Sequence, residues 1–388
     1  MRNFFALVGF EYKKSLSRKS TVITIVVALF LVFITQISNL FSPGAFEDIA
    51  SNRTYARSQT GRILDAELFM EAFIAYTDSD NNTIPYMEVL RFPYGITAGS
   101  NLTENELLNF YDALNNAINQ NIEYFVARGF LSHSGEEQLR QLYVQAFERN
   151  PIPWTFEYTG GNRTFLRNQL LVSMFLFFVI AVIIAPIFAS EHSTNVAQLI
   201  LTSKHGKRRL ILAKLFTAMS LSLLVSVVFV LFSYLINITI FGADGVTAPF
   251  QLFSQTSPFS ISIIQAVFIY IAYTSFRTLF FASGLLLLSS KLRSSFAVLI
   301  CAAVWIYFGV IFNTGFINIL GNSSAWLNNV GRLILAVLPL PTAAFDIIPY
   351  EIFGAAVWPF VFEPIFAVIM SIIFLPLAGR VFKRHQIG

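Results

Sequence analysis

Six stretches of the chain run with almost no charge: 21–37, 170–189, 215–241, 261–276, 296–312 and 361–378. The fourth continues past Arg277 through 278–290. A helix needs about 20 mostly apolar residues to cross about 30 Å of hydrocarbon, so each is read as a membrane span. A seventh apolar stretch, 333–348, is interrupted by Pro339, Pro341 and Asp346 and is not counted. Between the first two spans, 42–168 has spaced apolar positions, which predict helices over 65–76, 103–129 and 135–149. Ser134 with Glu137 three residues later predicts the start of the last of these. Pro151-Ile-Pro-Trp leads the chain back toward the membrane, with Trp154, Phe156 and Tyr158 expected at the lipid interface. At the N-terminus, Phe4, Phe5, Leu7, Val8 and Phe10 precede a basic cluster. Residues 1–20 therefore read as an amphipathic helix on the membrane face, not as a cleaved signal peptide. The predicted fold is all-α and polytopic, with a first span at 21–41, a mainly helical domain at 42–168, and five further spans within 169–388.

Composition supports the membrane reading. Only 12% of the residues are charged, against roughly 25% in soluble domains, too few to cover a water-soluble globule. Lys13, Lys14, Lys19, Lys204, Lys207, Lys214, Lys291 and Lys383 all fall on one side of a six-span arrangement. Basic residues collect in short cytoplasmic loops, so that side, with both termini, is assigned to the cytoplasm. Segment 42–168 then lies outside. It holds 16 acidic residues, 9 arginines and no lysine.

Recognisable enzyme chemistry is missing. His133, His192, His205 and His385 form no metal-binding pair motif, and neither a nucleophile elbow nor a P-loop occurs. The single cysteine, Cys301, allows no intrachain disulfide and is expected to be a small buried residue. No catalytic, cofactor or metal residue is assigned. Charges inside spans are costly and demand a role. Arg277 is a candidate intramembrane polar site, read first as structural. Glu363 is read as an acid near the outer start of the last span.

The stretch 188–214, FASEHSTNVAQLILTSKHGKRRLILAK, joins the second and third spans. Read physically, 195–202 is a short helix followed by a basic turn, a plausible docking element for a cytosolic partner. The stretch resembles the cytoplasmic loop of the ABC-2 type permeases. In that pattern an acid closes the second span, a threonine and helix leucines follow, then a basic turn, and a lysine opens the third span. Glu191, Thr194, Leu199 and Leu201, Arg208 or Arg209, and Lys214 match these positions. Ser193 replaces the usual glycine, and Lys204-His205-Gly206 replaces a proline-bearing turn. The order of spans matches exporters of this family that carry an extracytoplasmic domain, and 331–359 resembles their re-entrant segment before the last span.

The resemblance implies a multi-pass permease of the bacterial plasma membrane. The loop 190–214 would receive motion from a separate cytosolic ABC ATPase dimer, which holds the ATP and Mg. A second permease copy or a sister permease would complete the transporter in the lipid bilayer. Nucleic acid is not an expected partner. The substrate, whether peptide, drug, lipid-like molecule or ion, is left open. Two other readings stand beside this one: a membrane sensor or assembly protein using 42–168 as receptor domain, and a secondary transporter.

Overall fold

The computed structural model describes residues 2–41, 45–77, 86–96, 103–194, 206–312, 325–339, 344–352 and 355–384. Helix α1 (Arg2–Leu16) turns at Ser17-Arg18 into α2 (Lys19–Ile37). A cap of shorter helices follows: α3 (Ala45–Gln59), α4 (Ala66–Thr77), α5 (Met87–Ile96), α6 (Glu104–Leu108), α7 (Phe110–Ala127) and α8 (His133–Arg149). Then come α9 (Gly160–Arg167), α10 (Gln169–Ile184), α11 (Pro186–Ser193), α12 (Ile211–Phe241), α13 (Ile263–Lys291), α14 (Ser295–Ile311) and α15 (Ala325–Val337). A small antiparallel hairpin, β1 (Tyr350–Ile352) with β2 (Ala355–Val357), precedes α16 (Pro359–Arg384).

Among the described residues, five helices are long and apolar enough to cross a membrane: α2, the run Gln169–Ser193 that joins α10 and α11, Arg208–Phe241, α13 and α16. Helix α14 is equally apolar but has 17 residues. Which faces turn inward follows helical spacing. In α2 the buried positions are Thr21, Ala28, Val32 and Gln36, while Val22, Ile23, Val26, Val27 and Phe30 point outward. An apolar outward face of this extent suits hydrocarbon, not water. In α12 the inward stripe carries Ala218, Ser222, Ser226 and Ser233, small side chains that let neighbouring helices approach. Helix α16 lies along α13 through Glu363, Ala367, Ser371, Ala378 and Phe382, which recur at intervals of four and seven. Cys301 is exposed on α14, because Val298, Ala302 and Ile306 take the inward face. The expectation that it is buried was wrong.

The cap has its own core, in which Leu68, Phe69, Leu114, Leu139, Trp154 and Phe156 meet Ala248 and Leu252 from the α12–α13 connection. Trp154, Phe156 and Tyr158 are thus interior residues, not a lipid-interface belt. The cause is local pairing: Leu64 N donates to Trp154 O and Phe156 N to Arg62 O, both at 2.7 Å. Extended backbone with period two then sends 154, 156 and 158 to one side. The predicted helix over 103–129 divides at Asn109 into α6 and α7. Helix α6 begins with a capping box between Thr103 and Glu106. Helix α8 is capped by Ser132, whose Oγ accepts from Gly135 N at 3.3 Å. Ser134, the expected cap, already lies in the helix, whereas Ser132 is extended as a cap must be. Helices α3, α5 and α9 were not predicted. Within 331–359 lie the end of α15 and the hairpin, whose Ala356 N donates to Gln138 Oε1 of α8 at 2.9 Å.

Gly161, at the start of α9, faces the end of α12. A Cβ there would lie 2.1 Å from Gly242 O and 3.2 Å from Asn237 O. Gly242 has φ +96°, ending α12 in a conformation other residues rarely adopt. These are backbone oxygens and cannot rotate away. Gly161→Ala is therefore expected to destabilise the protein by about 1–3 kcal/mol. Gly9→Ala, with open space around it, should leave the detergent melting temperature unchanged or raise it.

Candidate functional site

The first cluster forms where α1 meets the loop ends. Val8, Glu11 and Ser15 of α1 are buried, at helical spacing, while Phe5 and Phe10 face outward. Tyr12 OH donates to Ser220 Oγ of α12 at 2.6 Å. This seats Glu11 against α12, where its Oε1 accepts from Lys214 Nζ at 2.8 Å. The same Lys214 Nζ lies 2.6 Å from Glu191 Oε1, and Lys14 Nζ lies 3.0 Å from that oxygen. The Lys214 side chain is 1% exposed and that of Lys14 33%. One buried ammonium thus holds two carboxylates from two elements, and a half-exposed ammonium completes the charge balance. Burial pushes the adjacent Arg18 guanidinium down from its ordinary value, with Glu11 and Glu191 pulling it back up.

Glu191 is placed by a helix break. Pro186 opens α11 and cannot continue the α10 hydrogen-bond ladder. Ser289 of α13 compensates from outside: its Oγ donates to Ala185 O at 2.8 Å and accepts from Phe188 N and Ala189 N at 3.2 and 3.1 Å. His192 reaches Ser290 O at 3.2 Å and packs on the Phe382 ring. Thr194 ends α11, its hydroxyl donating to Ser190 O at 2.8 Å. Arg208 and Arg209 are exposed on the π-helical turn Gly206–Leu210 that leads into α12. Leu199, Leu201 and the predicted helix over 195–202 lie outside the described residues. Of the expected loop residues, then, Glu191 and Lys214 are brought into contact, Thr194 ends the helix that carries Glu191, and the two arginines are exposed on the surface.

The second cluster is within the bundle. Arg277 of α13 is 1% exposed. Its Nη1 lies 3.0 Å from Glu363 Oε2 of α16. Nη1 also donates to Ala336 O at 2.8 Å, and Nη2 donates to Leu335 O at 3.1 Å and to Leu338 O. Trp305 Nε1 takes the remaining carbonyl, Val337 O, at 3.1 Å. The last four carbonyls of a helix lack partners within it, and here Arg277 and Trp305 serve all four around the end of α15. Glu363 also accepts from Tyr273 OH and, at 2.8 Å, from Tyr350 OH of the hairpin. Glu363 is therefore a buried partner of Arg277, not an interfacial acid. Its position one turn into α16 faces α13 instead of the bilayer surface.

No family model, curated protein or solved structure matches this chain. Among the described residues no three His, Cys, Asp or Glu side chains come together as metal ligands.

Two features of these clusters escaped the sequence reading: the place of Glu11 and the pairing of Glu363 with Arg277. Glu11 falls on the stripe of Phe4, Leu7, Val8 and Ser15, the face expected to be apolar. An acid on such a face signals a buried partner. Glu363 and Arg277 are the opposite charges of two spans, and intramembrane charges commonly pair with each other. That was the available signal.

Proposed function

We propose that this chain is the membrane-spanning permease subunit of an ATP-driven exporter of ABC-2 type. Six helices cross the bilayer, α14 being the fifth, and the stretch 331–359 is a re-entrant segment. Both termini and the loop 190–214 face the cytoplasm, and 42–168 forms the outer domain. A separate cytosolic ATPase dimer supplies ATP hydrolysis, and a second permease completes the pathway. The observation that carries this reading is the Glu11–Lys214–Glu191–Lys14 junction. It ties the N-terminal helix to both ends of the loop whose sequence resembles the family's ATPase-contacting loop. A push on that loop would move α1, α11 and α12 together.

Arg208 and Arg209 are the residues to test, because they are exposed and their loss should not disturb the fold. Purified in mild detergent from its native membrane, the protein is expected to bring down a P-loop ATPase, and an Arg208→Ala, Arg209→Ala double variant is expected to lose it. Failure to recover an ATPase across several detergents would overturn the exporter reading in favour of a sensor with the cap as receptor domain.

A further inference from the structure

A cavity of about 490 Å³ opens where the cap meets the bundle, between α5, α9 and the α12–α13 connection. Its charged lining is three arginines, Arg91, Arg163 and Arg167, against one carboxylate, Glu88. Arg163 Nη2 holds Glu88 Oε1 at 2.6 Å. Arg91 Nε is left 3.7 Å from Glu88 Oε2 and donates to a neutral group, Glu88 O, at 2.9 Å, while Nη2 donates to Thr159 Oγ1 at 3.3 Å. Arg167 is exposed and makes no ion pair or hydrogen bond within the described residues. The Gln255 side chain, which closes over Gly95, is likewise uncommitted. Burial and then the neighbouring Arg163 push the Arg91 guanidinium down to about 9, and the lining as a whole carries two more cations than anions.

An additional anion would offset that excess. Guanidinium forks match the oxygens of phosphate in pairs, and an amide donor stands beside them. The cavity also has an apolar side, formed by Met87, Ile96, Leu252 and Phe253. Arg167 is the last residue of α9, and the long apolar run begins at Gln169. Arg167, which lines the cavity, therefore stands at the polar end of that run. From this we infer that the cavity binds the phosphate of an anionic phosphate ester carrying an apolar body, supplied either by a phospholipid of the adjoining leaflet or by a soluble ester. The inference does not depend on the exporter reading.

The test is titration calorimetry on the full chain in neutral detergent with two probes, dihexanoyl phosphatidylglycerol and the soluble ester n-hexyl phosphate. Saturable binding of at least one probe is expected. Arg167→Glu and, separately, Gln255→Ala should weaken it, the former by at least about tenfold, the scale of a lost charged hydrogen bond. Equal binding of both probes assigns the site to soluble phosphate esters, and binding of the lipid alone assigns it to a phospholipid. Saturable binding of neither probe overturns the inference, as does an Arg167→Glu protein with an unchanged melting curve that binds as tightly as the native chain.

Discussion

Arg277→Met is expected to destabilise the protein by about 3–5 kcal/mol, the usual cost of removing one partner of a buried ion pair. The reason is what remains. Glu363 would keep its charge in the bundle interior with only Tyr273 and Tyr350 as donors. The carbonyls of Ala336 and Leu338 would lose the guanidinium donor at the end of α15, and Leu335 O would keep only Leu338 N at 3.1 Å. Glu363→Gln should cost less, because Arg277 keeps those carbonyls, and the amide oxygen can accept from one tyrosine while its NH2 donates to the hydroxyl oxygen of the other. Arg277→Met combined with Glu363→Met should recover part of the loss, since the unpaired charge is gone. Thermal melts in one detergent decide the matter. An Arg277→Met protein as stable as the native chain would mean that the pair is not buried as described.

The second large effect is expected at Lys214. Lys214→Met leaves Glu11 and Glu191 facing one another with the half-exposed Lys14 and the nearby Arg18 to compensate, and should cost about 3 kcal/mol or more. Lys14→Met removes a half-exposed pair and should cost less than about 1 kcal/mol. Because Glu11 is held to α12 through Lys214, the damage should concentrate at α1. Trypsin should cut after Lys13, Lys14 or Arg18 faster in Lys214→Met than in the native protein, under conditions where the cap stays intact. Unchanged cleavage would show that packing of Val8 and Tyr12, not the ion pair, holds α1 in place.

The membrane helices were legible because each is a long apolar run whose identity does not depend on the rest of the chain. The cap was legible only in part. Helix α4 and the region of α7 and α8 have clear apolar periodicity. Helix α3 has a polar, weakly periodic sequence, α5 contains Pro93, and α9 opens with Gly160-Gly161, signals that locally argue for breaks. These three form because the surrounding structure decides them: Phe92 and Phe165 are fully buried against neighbouring elements. Trp154, Phe156 and Tyr158 were misread because aromatic residues near a span look alike whether they face lipid headgroups or a protein core. At the site, Glu191 and Lys214 were found through a linear pattern. Glu363 lies 86 residues from Arg277, and no local pattern connects positions so far apart.

The break at Pro186 has a mechanical consequence. Ser289 binds both sides of it, so a change in the mutual angle of α10 and α11 would have to carry α13 along or break those bonds. The two segments act as rods hinged on a pin that belongs to a third. The shorter rod carries Glu191, and through it Lys214 and Glu11. Rotation of that rod would pull on the N-terminal helix at one end and on the serine of α13 at the other, making this corner a crank and not a strut.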